Sequence, residues 1–431
     1  MTRTIEMNKI IEERHKLCKT LYLIKKETDK INKEKRKQGA DWKNLTYMNI
    51  LGKPCHLKIL FGPFMKTPLY TEIAILRGHT AHVSCLTLHE NKLYSASWNK
   101  TIRIWDTETH EEIATLDAIS FVHTHNVTCL TLHENKLYSG SWDNTIRIWN
   151  TETREEIAIL TGHTDSVNCI TIHENKLYSG SFDNTIRIWD TETHEEIATL
   201  EGHTSYVCCI TIRENKIYSG SVDRTIRIWN TETREEIAIL SGHTDSVWCL
   251  ALRKNKLYSG SMDKTIRIWN TETHEEIAIF RGHTSHVSCL TLHENKLYSG
   301  SADGTIRIWN TETHEKIAIL RGHTSYVKCI TLHENKLYSG SGDGTIRIWN
   351  TETHEKIVTL EGHTRSVTCL TIRENKLYSG SDDETIRIWN TETHEEIATL
   401  RGHTNWVICL TLHENKLYSG SEDNTIRVWN V

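Results

Sequence analysis

From residue 71 onward, apolar and polar residues alternate in runs too short and too regular for helices. The stretch Gly162–Leu200 shows the pattern: Val167–His173, Leu177–Ser181, Thr185–Trp189 and Ile197–Leu200 alternate, and polar turns lie between them. Period-2 alternation gives each run one face for a core and one for solvent, so each is expected to be a half-buried β-strand. The first turn, Glu174-Asn175, predicts a left-handed Asn. Asp183-Asn184 and the polar stretch from Thr191 to Glu195 make the other turns. The whole pattern recurs nine times at a period of about 40 residues, and four short strands per period mark a propeller blade.

Counting strands along the chain predicts how the ring closes. The first run, Glu72–Leu76, corresponds to a fourth strand, whereas the chain stops at Val431 just after a third. A lone fourth strand at the start can therefore complete the last blade and leave it no unpaired end. Nine blades need a rotation of about 40° each, wider than the ~4–8 blades usual for propellers. A closed nine-bladed ring is the expectation, with seven or eight blades and spare units as the alternative.

Residues before 71 differ in kind. All three prolines (Pro54, Pro63, Pro68) lie there, whereas the repeats have none to interrupt their ladders. Met7, Ile10, Leu17, Leu21, Ile24 and Ile31 keep heptad spacing, which predicts an amphipathic helix over residues 5–36 able to self-associate as a short coiled coil. The expected organisation is a basic helix or coiled coil over 1–40, a linker over 41–70 and the propeller over 71–431.

Within each unit, Gly162-His163 at the opening, the SGS of the second strand, Asp183 before Thr185 and the closing Trp189-Asp190 together resemble the WD-repeat family. The resemblance runs through all nine copies over residues 71–431, although only Trp105-Asp106 and Trp189-Asp190 keep the Asp and seven copies read Trp-Asn. It implies a buried relay of Trp, Ser, His and Asp across each blade, with Ser179 favoured over Ser181 as the relay serine. The same trio, His163, Ser179 and Asp183, has the composition of a hydrolytic triad. A triad is defined by geometry around one activated nucleophile, however, and a trio repeated in every blade reads as structure. The chain is therefore expected not to be an enzyme. Two copies lapse: the first has Asn99 in place of Asp, and the second has Val122 in place of Gly behind the insertion 117–121.

The copies differ mainly on one face. With antiparallel strands, the fourth-to-first and second-to-third connections share a side, here called the top. The bottom turns scarcely vary: six copies read HENK, two RENK, and the fifth Arg253-Lys254-Asn255-Lys256. On top, the residue before the relay Asp runs Trp98, Trp142, Phe182, Val222, Met262, Ala302, Gly342, Asp382, Glu422. Tyr206, Tyr326 and Trp406 vary at a second position, Trp248 and Lys328 at a third, the one that begins with Ser84. Functional residues collect on loops of a rigid scaffold, so Trp98, Trp142, Phe182, Val222, Met262, Tyr206, Trp248, Tyr326, Trp406, Lys328, Asp382 and Glu422 are expected to bind a partner.

Composition narrows what that partner is. The net charge of −5 splits into +6 over residues 1–40 and −11 over the rest. A negative ring does not suit nucleic acid, whose binding needs Lys and Arg at the phosphates. No run approaches the ~20 apolar residues of a membrane helix, and residues 1–20 lack the apolar core of a signal peptide. The cytoplasm is the expected compartment, with the nucleus as the alternative. Nine of the twelve cysteines occupy one position per repeat, without a CxxC pair, and read as small buried hydrophobes rather than disulfides or a zinc site. No cofactor is expected. The leading expectation is an interaction scaffold whose top face holds a protein or peptide, and the alternative is a substrate receptor or adaptor in an enzyme complex such as a ubiquitin ligase.

Overall fold

The computed structural model describes residues 47–48, 54–55, 70–116 and 123–431. The chain divides into two units, residues 1–66 and 67–431. In the first, Tyr47–Met48 pairs antiparallel with Pro54–Cys55. The expected helix over 5–36 and the insertion 117–121 lie outside the described residues.

The second unit is a nine-bladed propeller, each blade a four-stranded antiparallel sheet. In blade 3 the strands are Val167–His173, Lys176–Ser181, Ile186–Asp190 and Glu196–Leu200, within one residue of the runs expected from alternation. Blade 9 is completed by Glu72–Leu76, which pairs with Ile426–Asn430. That closure is fastened at several points: Tyr70 N–H donates to the Asn430 carbonyl at 2.7 Å, Arg427 pairs with Glu72, and Leu76 is buried.

The core is a set of equivalent seams between blades. The second-strand Tyr of one blade packs with the third-strand Trp of the next, as Tyr138 does with Trp189 and Tyr218 with Trp269. Over seven of the nine seams the second-strand Lys donates to a Thr carbonyl of the following blade, as from Lys92 to Thr151 at 2.6 Å. The seam between blades 9 and 1 has the same parts: Tyr418 packs with Trp105, and Lys416 donates to the Thr107 carbonyl. The ring is therefore continuous.

Two local expectations need correction. The left-handed residue of each inner bottom turn is the one before the Asn, Glu in eight units (φ 52° for Glu174) and Lys254 in the fifth, and not the Asn itself. The Asn carbonyl is committed elsewhere, since Asn175 accepts the Thr191 N–H. The cysteines are not fully buried residues, because the first strands line the inside of the ring and leave each Cys partly exposed. Their sulfurs are nevertheless packed. A Cβ on Gly140 would stand 2.7 Å from Cys129 Sγ, and desolvation pushes the Cys129 thiol up to about 11. Such thiols stay protonated and unreactive at neutral pH.

Candidate interaction face

The relay explains why the top loops hold still. Each third-strand Trp Nε1–H donates to the first Ser of SGS (Ser95 of Ser95-Ala96-Ser97 in blade 1) at 2.8–3.0 Å, as in Trp189 to Ser179. That Ser hydroxyl meets the His Nε2 at 2.7–2.8 Å. In blades 2–9 the His Nδ1–H then faces Asp Oδ2 at 2.7–3.0 Å. The direction Trp to Ser to His to Asp is the one that satisfies every donor. The second Ser does a separate job: Ser181 accepts the Asp183 N–H and donates to the Asp165 carbonyl. All nine relay serines are 0% exposed, so none can reach a substrate.

Burial alone would raise these carboxyls, but their hydrogen bonds to His, Thr and backbone N–H prevail and hold them well below the usual range. Asp303 and Asp343 are held at about 2. The stability they contribute is present above the unfolded value of about 3.9 and is lost as pH falls through the folded one.

Blade 1 departs from this. A single oxygen, Asn99 Oδ1, takes His79 Nδ1 at 3.2 Å as well as the N–H and Oγ1–H of Thr101. Elsewhere two oxygens share such work, with Asp143 Oδ2 also accepting Thr124 N–H at 2.8 Å. Burial pushes His79 down to about 4, against the weaker upward pull of Asn99. Blade 1 is therefore fully stable above the ordinary histidine value of about 6.5 and weakens as pH falls from there to about 4. Asn99→Asp is expected to raise the His79 value in an NMR titration and to slow hydrogen exchange around residues 95–105 by ~1 kcal/mol. An unchanged His79 titration would show that Asn99 does not limit this blade.

The bottom turns explain the drift from Trp-Asp to Trp-Asn. Asp190 Oδ1 accepts the N–H groups of Glu192 and Thr193, and Asn150 Oδ1 does the same for Glu152 and Thr153, all at 2.8 Å. One side-chain oxygen suffices, and Asn supplies it.

Above this frame, the expected partner-binding side chains stand at the top connections, except Trp248 and Lys328, which are the second residues of the first strands of their blades. Trp98, Trp142, Tyr206, Trp248, Tyr326, Trp406 and Lys328 are exposed, whereas Phe182, Val222, Met262, Asp382 and Glu422 are half-buried. Ring contacts join the aromatics in two groups. On blades 1 and 2, His82 stacks on Trp98 at 5.1 Å, Trp98 meets Trp142 at 5.7 Å, and His125 meets Trp142 at 5.5 Å. On blades 3 and 4, Phe182 stacks on Tyr206 at 4.5 Å. Tyr326 spans two blades by donating to Ser366 Oγ at 3.1 Å. Of the two acids, Glu422 lies 3.5 Å from His82, and burial pushes the Asp382 carboxyl up although Lys328 and Arg365 face it.

Variation at the third top position has a cause that the sequence did not disclose. Ser84, Thr128, Asn168, Ser288 and Thr368 each donate to the first-strand Val carbonyl of the next blade, as Ser84 does to Val127 at 2.9 Å. In those copies the side chain staples the ring. Trp248 and Lys328 point outward instead. On the bottom, the odd turn of the fifth unit borders an open cleft of about 500 Å³ lined by Arg253, Lys254, Asn255 and Lys256 among others. Among the described residues no three His, Cys, Asp or Glu side chains converge as metal ligands would.

A closed ring of four-stranded blades, each pinned by a Trp–Ser–His relay that ends on Asp in blades 2–9 and on Asn in blade 1, defines a WD-type β-propeller. The profile described as "WD domain, G-beta repeat" matches residues 70–106, 115–150, 154–190, 354–390 and 394–430, and that described as "WD40-like domain" matches residues 205–364. The chain belongs to the WD40-repeat family and is a propeller scaffold.

Curated relatives include the "Probable E3 ubiquitin ligase complex SCF subunit sconB" of Aspergillus terreus and that of Arthroderma benhamiae. Each is 52% identical over 42 residues, which is 10% of this chain and 6% of that protein. The Talaromyces marneffei counterpart is 46% identical over 44 residues, 10% of this chain and 7% of its own length. The chain thus spans only a small fraction of these relatives, about one blade. Among solved structures, the computationally designed Ika8 protein is 32% identical with a TM-score of 0.61, over 71% of this chain and 96% of that one.

Proposed function

We propose that the top face of the propeller binds a protein or peptide partner, with the aromatic groups on blades 1–4 as its centre. The observation that carries this is the exposure of Trp98, Trp142, Tyr206, Trp248, Tyr326 and Trp406 at or next to the connections where the near-identical repeats diverge. Exposed apolar clusters mark binding sites, and Trp and Tyr dominate binding hot spots. The reading includes a non-enzymatic role, a cytoplasmic home with the nucleus as alternative, and self-association through residues 5–36.

A second reading, an adaptor within a ubiquitin ligase, is favoured by the likeness to the sconB subunits, although that likeness is one blade long. Affinity capture with the full chain and with a chain lacking residues 1–69, read by mass spectrometry, separates the two. A top-face scaffold keeps its partners in both. An adaptor tethered through its N-terminal segment loses ligase subunits from the second.

A further inference from the structure

Seven blades carry the same ion pair on the outer rim: the third-strand Arg meets the fourth-strand Glu, as Arg187 meets Glu196 and Arg387 meets Glu396. Blades 6 and 7 break the rule. Lys316 takes the Glu position of the outer strand, opposite Trp309, and Lys356 takes it opposite Trp349. The charge is reversed rather than lost, in two consecutive blades of a ring that is otherwise negative.

Arg307 bears the consequence. It is 7% exposed, and its guanidinium donates to the Gly282 carbonyl at 2.6 Å. Burial disfavours its charge and neighbouring Arg321 adds to this, while Asp303, already engaged in the relay, partly offsets it. A buried cation that lacks its own carboxylate is costly. The same rim offers more than charge. Lys316–Leu320 and Lys356–Leu360 are the outermost strands of their sheets, so among the described residues one side of each pairs with no strand. Ile317 and Ile357 stand exposed on them.

We propose that the outer strands of blades 6 and 7 dock an acidic, extended segment of a partner protein, at a surface independent of the top-face reading. Carboxylates of the segment take the place of the absent Glu against Arg307 and Arg347. Its backbone adds to the open sheet edge, and its apolar residues cover Ile317 and Ile357. Main-chain pairing gives such strand addition its affinity and the side chains give it specificity. A nucleic acid offers no peptide backbone to pair with the open edge.

The test uses the full chain and a short fluorescein-labelled peptide of alternating Glu and Val, followed by fluorescence anisotropy. The double variant Lys316→Glu, Lys356→Glu rebuilds the pair that seven blades already hold, so it folds. It is expected to bind the peptide about tenfold more weakly or worse, and backbone N-methylation of the peptide is expected to weaken binding similarly. Equal binding by the variant and the natural chain would remove the rim as the site. Indifference to N-methylation would remove the strand pairing. An oligothymidylate of the same charge that binds as tightly, with the same loss in the variant, would replace the acidic segment by a general polyanion.

Discussion

A chain lacking residues 1–69 is expected to melt as the full propeller does, whereas one lacking residues 1–76 is expected to lose more than ~5 kcal/mol and to aggregate. The seven residues between those cuts hold Tyr70, whose N–H bonds Asn430, Glu72, which pairs with Arg427, and the buried Leu76. Without them the strand Ile426–Asn430 has a bare edge, and blade 9 becomes a three-stranded sheet beside an intact blade 1. Leu76→Ala keeps the backbone pairing and removes only the packed side chain, so it should cost ~3 kcal/mol and leave the ring closed. Thermal melts with light scattering read all three. Equal melting of the two truncated chains would mean that the last blade is stable without its borrowed strand.

The second large effect concerns the top face. Trp98→Ala and Trp142→Ala are each expected to weaken capture of the partner by ~2 kcal/mol, roughly thirtyfold in affinity. Both side chains project from turns whose relay groups lie beneath them, and both are exposed, so the melting temperature should stay where it is. Truncating Trp98 also removes the surface on which His82 stacks, which couples the two residues. Glu174→Ala and Lys176→Ala, both at a bottom turn, serve as comparisons. If the chain with Trp98, Trp142 and Phe182 all replaced by Ala captures the same partners as before, the top face is not where they bind.

The fold was legible because its instructions are local and repeated. Alternation places Val167–His173 correctly to the residue, and the lone run Glu72–Leu76 discloses the closure. The choice of Ser179 over Ser181 also holds, since Ser179 is the one that meets both Trp189 and His163. What stayed hidden depends on contacts between blades or on backbone demands that outrank propensity. Asn175 has the residue type of a left-handed turn, yet its carbonyl must face Thr191, and Glu174 takes the strained φ instead. Ser84 and Thr128 stand in the sequence only as members of a variable series, because their acceptors lie in the next repeat. The signal was present in kind, as five copies at that position carry Ser, Thr or Asn, the short donors able to reach a neighbouring carbonyl. Lys316 and Lys356 follow directly on the near-invariant bottom turn and were masked by its constancy.

The borrowed strand also sets the order in which this protein can be finished as it is made. Glu72 and its partner Arg427 are 355 residues apart, so at ~5–20 residues per second the strand Glu72–Leu76 waits roughly 20–70 s for its partner to be synthesised. Blades 1 to 8 contain their own strands and can assemble in turn as they leave the ribosome. The waiting strand cannot. Until Ile426–Asn430 is made, the nascent chain carries Glu72–Leu76 as an apolar strand without its partner, and the arrival of that partner is what brings the ring to rest.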